Sequence, residues 1–333
     1  MTAALAQSQR TKQHGDGLSR TRLGRDLYQI AELVEICFKP GLDANGRAAI
    51  QEMKFVARLW PLTWLLALLD RPGLGTGFVW RTGKRVIGNA SLYPGGKHPW
   101  LGPGWLVANV AVHPDYRRQG IASALMQAGC ELVREQHGHW IALQMEAGNT
   151  AVEEFYRKHG FETYETLTFW EKTGLDQLVP ADVWPIRPRR FQEAPAEADL
   201  IYNRARRGAM AWGQPIEQSQ VQGGLFGNME VLLSGQHREH WVLPDPNRPD
   251  RLLGSLWADI SGWRSVRLSL FLDPALHDPR GRQALLHTVL SNRTFAGWSL
   301  RVETAQGDPL IEEILRSAGF HQVRALTQMR CLL

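Results

Sequence analysis

The chain carries one pattern twice, and that repeat constrains its architecture more than any other feature. Asn149 to Phe161 reads NTAVEEFYRKHGF, and Asp308 to Phe320 reads DPLIEEILRSAGF, 159 residues later. Both keep Glu-Glu at the same place and both end in Gly-Phe. Leu167-Thr168 recurs as Leu326-Thr327 at the same offset. Upstream, Val110–Tyr116 (VAVHPDY) recurs as Leu270–Leu276 (LFLDPAL), offset by 160. A one-residue slip between the two segments is what a single loop change leaves. Conserved order and spacing imply two copies of one fold. The length, 333 residues, agrees, since a domain takes roughly 100–200 residues. The expected division is a flexible tail over 1–17, a first domain over 18–174, a linker over 175–188 and a second domain over 189–333. Pro180, Pro185 and Pro188 cluster at the join.

Composition narrows the function classes. Hydrophobic residues make up 44% and charged residues 21%, which excludes wholesale disorder and a membrane bundle. The formal charge of +5 is spread thinly. No basic block forms a nucleic-acid arm, so no nucleic-acid partner is expected. The most apolar run, Leu59–Leu69, holds Pro61 and ends at Asp70. It is too short for a bilayer, which needs about 20 residues, so no membrane partner is expected. Cys37, Cys130 and Cys331 lie far apart. They form neither a disulfide framework nor a metal-ligand spacing, and no metal is expected. The polar first 20 residues lack an apolar signal core. With the low cysteine count, this predicts a cytoplasmic protein.

The periodicities predict a mixed α/β fold. In copy one, Asp26–Phe38 has helical spacing with Asp26 as its N-cap, and a second helix covers Asn45–Leu59. Strands are expected over Gly77–Arg81, Val86–Tyr93 and Leu106–Val112, the last a continuous apolar strand interrupted only by Asn109. Helix Ile121–Val133, strand Trp140–Met145, helix Asn149–His159 and strand Glu162–Lys172 follow. Copy two reads as strands Trp241–Leu243, Leu252–Ala258 and Val266–Leu272, helix Gln283–Leu290, strand Ser299–Val302, helix Pro309–Ser317 and strand Gln322–Cys331. The fold class is α/β: two tandem domains, each a mixed, largely antiparallel sheet flanked by helices.

The segment that carries chemistry is Val110–Ala124, VAVHPDYRRQGIASA. A buried strand ends at His113-Pro114, and Arg117-Arg118-Gln119-Gly120-Ile121-Ala122 opens a helix. A helix start offers unpaired N–H groups and the positive end of the dipole, which suits a pyrophosphate. Gly120 and Ala122 let an anion approach closely, and Arg117 and Arg118 add charge. Taken alone, a small-residue turn before a helix serves ordinary packing equally well.

Its context is more specific. The segment resembles the Arg/Gln-x-x-Gly-x-Gly/Ala signature of the GNAT acetyltransferase superfamily, with Arg117, Gly120 and Ala122 at the three defining positions. The preceding strand ending in Val-His-Pro looks like that family, as does Asn149 followed by Tyr156 and Gly160-Phe161. The resemblance covers roughly Leu18–Lys172, and copy two repeats it weakly.

That resemblance implies an acetyl-CoA site. Gln119, Gly120, Ile121, Ala122 and Ser123 would offer main-chain N–H groups to the pyrophosphate. Val110, Ala111 and Val112 would pair with the pantetheine arm as a ligand strand. Asn149 would hold the pantetheine or fix its loop, and Tyr156 would point its hydroxyl at the thioester sulfur. The implied reaction is direct N-acetyl transfer from acetyl-CoA to a primary amine of a small molecule or peptide. A main-chain N–H polarises the carbonyl and Tyr156 acts as general acid. Cys130 lies inside the following helix, a place for a buried structural thiol rather than a nucleophile.

Some members of the family place a glutamate five residues before the Asn149 position, where this chain has Gln144. Glu146 and His113 are the other base candidates, and no base is assigned. The missing base supports an alternative: a non-catalytic acyl-CoA sensor or pseudoenzyme. Trp60, Trp64, Trp80, Trp100 and Trp105 cluster where the family builds its acceptor cleft, and core packing explains any one of them as well. A second copy of the chain is admitted as a partner. Copy two is expected to fold without binding cofactor. At the 160 offset Gly120 becomes Arg280 and Ala122 becomes Arg282, while Asp278-Pro279 replaces Arg118-Gln119. Asn149 becomes Asp308 and Tyr156 becomes Leu315.

Overall fold

A computed structural model describes residues 16–39, 46–47, 50–58, 76–98, 101–173, 184–205, 237–261, 265–291, 297–305 and 309–333. The apolar run Leu59–Leu69, Trp60, Trp64, Trp100, Asp308 and most of the predicted tail and linker lie outside them. Two compact units emerge. Unit one comprises Met1–Gln144, Thr150–Glu162 and Met329–Leu333, and unit two comprises Met145–Asn149 and Thr163–Gln328.

In unit one, strands β1 (Gly17–Arg20), β2 (Thr76–Thr82), β3 (Arg85–His98) and β4 (Gly102–Val112) lie side by side, each antiparallel to the next. Strand β5 (Trp140–Glu146) then pairs parallel to β4. Beyond β5 runs the chain's last segment, whose Leu333 N–H donates to His139 O at 2.9 Å. Strand alternation sends neighbouring residues to opposite faces, and each face carries a helix. Helix α1 (Leu23–Phe38) packs Ile30, Ala31, Leu33 and Val34 with Val79, Val86 and Ala111. Helix α2 (Ile121–Glu135) packs Ile121 and Leu125 with Ile87 and Ala90. Residues 50–58 are also helical. Helix α3 (Thr150–Lys158) leads into strand β6 (Glu162–Thr173).

Unit two repeats the order. Strands β8 (His237–Asp245), β9 (Arg248–Ser261) and β10 (Ser265–Leu272) are antiparallel neighbours. Strand β11 (Ser299–Ala305) joins β10 in parallel. The short β7 (Arg187–Pro188) edges β8, followed in the chain by helix α4 (Ala194–Asp199). Helix α5 (Pro279–Leu290) packs Leu285, Leu286 and Leu290 with Leu256, Val266, Leu300 and Trp170. Helix α6 (Pro309–Ser317) and strand β12 (His321–Leu332) close the chain. The repeat read in the sequence is thus a repeat of structure: two antiparallel hairpin steps, one parallel step, and a helix after the third and fourth strands of each set.

The closing strands are shared out differently from the chain halves. From Thr163 onward, β6 belongs to unit two, where it pairs antiparallel with β11 from Ser299↔Thr173 to Ala305↔Leu167. Met329–Leu333 of β12 belong to unit one. Two local expectations also change. Helix α1 begins at Leu23 with Arg22 as its N-cap, so Asp26 is not the cap. Asp26 lies one turn inside, where its carboxylate reaches back to the Arg22 N–H (2.8 Å). Helix α5 begins at Pro279, ahead of the expected Gln283, because proline suits the first helical turn.

Candidate active site in the first copy

Strand β4 sets the geometry. Its parallel ladder with β5 runs from Gly104↔Trp140 to Val107↔Leu143 and stops there. On the other side, its pairing with β3 skips from Ala108↔Ser91 to Ala111↔Asn89. Asn109 and Val110 therefore oppose Ala90 alone, which is a β-bulge. Asn109 adopts φ +54, the left-handed region that asparagine tolerates better than most residues. From Ala108 to Val112 the strand lies against β3 only, and the edge towards β5 is open. Val110 and Val112 pack on the α2 face and Ala111 on the α1 face.

After Val112 the chain makes one 3₁₀ turn, Pro114–Tyr116, and enters α2. Arg118 (φ +63) and Gly120 (φ +78) take left-handed conformations. The first helical bond is Ala124 N–H to Gly120 O at 3.0 Å. Among the described residues, the N–H groups of Arg118, Gln119, Gly120, Ile121, Ala122 and Ser123 have no partner. A Cβ built on Gly120 meets nothing within 4 Å, so open space lies before these donors. Such a run of unpartnered amides at a helix start is a candidate anion cradle. The sequence-predicted Val110, Ala111, Val112, Arg117, Arg118, Gln119, Gly120, Ile121, Ala122 and Ser123 form this one continuous stretch of strand, turn and helix start.

The cradle is braced from the α1 side. Arg117 Nε donates to Val112 O (3.2 Å), and Cys37 Sγ donates to the same oxygen (3.3 Å). Burial pushes the Cys37 thiol up, more than the adjacent Arg117 guanidinium lowers it. The sequence weighed Cys37 only for disulfide and metal spacing, because a lone cysteine near a helix end carries no pattern that points to this contact.

His113 stands where β4 ends, its Nε2 3.1 Å from Arg85 Nη2. Its Nδ1 lies 3.4 Å from the Asp115 N–H, so both ring nitrogens have a neighbouring donor and the tautomer decides which of them accepts. Gln144, Glu146 and Asn149 are exposed, and the Asn149 N–H reaches Glu146 O at 3.4 Å. Tyr156 is 7% exposed on α3, edge-on to Phe155 and tilted against Phe161. Desolvation pushes its hydroxyl up to about 12, so it stays protonated at neutral pH. Cys130 is buried inside α2 and its thiol is pushed up to about 11, chiefly by burial. It is not a thiolate nucleophile at neutral pH.

The matching turn of copy two is filled by the protein's own groups. Asp273, at the position of His113, is 3% exposed and accepts from Ala275 N–H (2.9 Å), Arg251 Nη2 (2.7 Å) and the Arg204 guanidinium. Asp278 accepts from the Arg280 N–H (2.8 Å), and Pro279 has no N–H to give. Arg282 is buried and donates to Leu276 O. A cavity of about 490 Å³ opens beside this turn, with Trp184, Arg248, Arg251 and His277 on its wall, but Asp245 and Asp278 share that wall.

Comparisons with known proteins bear on the domain and the fold. The model of the acetyltransferase (GNAT) domain matches residues 74–163. The N-alpha-acetyltransferase 30 of Schizosaccharomyces pombe is 34% identical over 70 residues, which are 21% of this chain. The match spans 47% of that relative, less than half its length. Among solved structures, a GCN5-related N-acetyltransferase from Sphaerobacter thermophilus superposes with TM-score 0.62 at 16% identity, covering 95% of each chain. A tandem GNAT protein from the clavulanic acid biosynthesis pathway gives 0.57 at 14% identity, covering 95% of this chain and 98% of its own. Residues 74–163 are a GNAT acetyltransferase domain, and the chain as a whole has the tandem GNAT fold.

Proposed function

We propose that the protein transfers the acetyl group of acetyl-CoA to a primary amine of a small molecule or peptide, and that the first copy binds the donor. The observation that carries this reading is the row of six unpartnered amides from Arg118 to Ser123 facing the open space at Gly120. A pyrophosphate supplies the acceptors those donors lack. The open edge of Val110–Val112 takes the pantetheine amides as a short added strand.

In the reaction the amine nitrogen attacks the thioester carbonyl. A main-chain N–H on the open edge of β4 stabilises the developing oxyanion. The carbon–sulfur bond then breaks, and the amine sheds its proton to solvent or to a carrier in the acceptor cleft. Tyr156 serves the departing thiolate. With a pKa of about 12 against about 8.5 for an ordinary thiol, complete proton transfer is uphill. Its part is a hydrogen bond to the thiolate, with transfer completed where the same apolar walls desolvate the sulfur.

Gln144 in place of a carboxylate supports the second reading, a sensor that binds acyl-CoA without turnover. Calorimetric titration with acetyl-CoA tests binding, and thiol release with an amine panel separates the two readings. Gly120→Glu places a carboxylate in the cradle and should abolish binding. Gly120→Ala bears only the left-handed strain, about 1–2 kcal/mol, and should retain it. Equal affinity in wild type and a folded Gly120→Glu variant would remove the cofactor assignment.

A further inference from the structure

We infer that Asn89, on the strand next to β4, is a positioning residue that holds the donor site open. The inference rests on the proposed acetyl-CoA site. Asn89 is 0% exposed. Its Nδ2 donates to Asn109 O at 2.8 Å and to Ser91 Oγ at 3.1 Å. The bond to a carbonyl fixes which side-chain atom is the nitrogen. Asn109 is the residue at φ +54 in the bulge.

The bulge costs conformational energy, and it takes the Asn109 carbonyl out of the regular ladder to a part-buried place where the buried Asn89 amide meets it. A buried carbonyl without a donor is expensive. Asn89 supplies that donor from outside β4, and it does so only when the bulge is present. The register skip falls directly opposite, between Asn89 and Ser91 on β3. The ladder to β5 ends at Val107↔Leu143, just before the bulge. Asn89 thus couples a buried amide to the divergence of β4 from β5. Without it, the regular register competes with the bulged one, and the edge of Val110–Val112 turns away from the ligand.

The experiment is calorimetric titration of the full chain with acetyl-CoA, paired with thermal melts. Asn89→Leu keeps the volume and removes the donor. Affinity should fall about 10- to 100-fold, the range one buried hydrogen bond commands. Asn109→Gly removes the strain at φ +54. Added to Asn89→Leu, it should recover at least tenfold in affinity while the lowered melting temperature persists. A residue that merely filled the core would give affinity that follows melting temperature, with no rescue from the neighbouring strand. Wild-type affinity in Asn89→Leu, or a double variant no better than the single one, would overturn the inference and leave the acetyl-CoA site standing. Wild-type protein that does not bind acetyl-CoA would overturn both.

Discussion

Tyr156 is a packing residue by its contacts, and we propose a chemical role for it as well. Its ring fills the corner between α3 and Phe161, so spacing alone reads it as core. Its hydroxyl, held near 12, remains a donor across the working pH range. Tyr156→Phe should keep the ring and lower kcat and kcat/KM alike, by about 10²–10⁴-fold if the hydroxyl acts as a general acid. The KM for acetyl-CoA should change little. An unaltered kcat with a good acceptor would make it a packing residue only. The same pKa makes a stability prediction. The unfolded chain ionises its tyrosine near 10 and the folded one near 12, so Tyr156 favours the fold below pH 10. That contribution is lost as the pH rises from 10 to 12, a loss on the order of a few kcal/mol. Urea unfolding of Tyr156→Phe across that window should lack this part of the alkaline decline.

Elements were legible where periodicity decides them. The strands and helices around Val110–Phe161 lie within a few residues of where alternation and helical spacing place them. Asn109 broke the apolar run of Leu106–Val112, and that break marks the bulge. Asn89 gave no such signal, because its role depends on a carbonyl in another strand. The exchange of closing strands was also illegible: the alternation of Glu162–Thr173 names a buried face and no partner. Asp26 misled as a cap because a carboxylate near a helix start reads the same one turn later. Its actual partners are Arg81, 6% exposed and within 2.5 Å, and Arg25 at 3.0 Å. Burial raises the Asp26 pKa, but the Arg22 N–H and the two guanidinium groups outweigh it and the net direction is down. Removing one partner of a buried pair costs about 3–5 kcal/mol, so Asp26→Ala should destabilise the fold by that order in denaturant titration. The wild-type advantage is present above the unfolded pKa near 3.9 and disappears as the pH falls through the lower folded value. A gap unchanged down to pH 2 would show that Asp26 acts by packing alone.

On the scale of the whole chain, two copies of one fold differ in the turn that follows their third strand. Both keep the apolar positions that build a sheet and its helices: Ile121 and Leu125 on α2, Leu285 and Leu286 on α5. They differ in who satisfies the turn between the third strand and the next helix. In copy one the N–H groups of Arg118–Ser123 have no partner among the described residues. In copy two Asp273 and Asp278 occupy donors of the turn, and Pro279 deletes one. A polyanion there would have to displace a carboxylate already held by Arg204 and Arg251. We therefore expect one acetyl-CoA per chain, lost entirely in Gly120→Glu. The cavity beside Trp184 gives the alternative a definite place. Two sites per chain, or one that survives Gly120→Glu and is lost in Arg248→Ala, would move the cofactor to copy two. The first result would leave copy two as the member that keeps the fold and not the site.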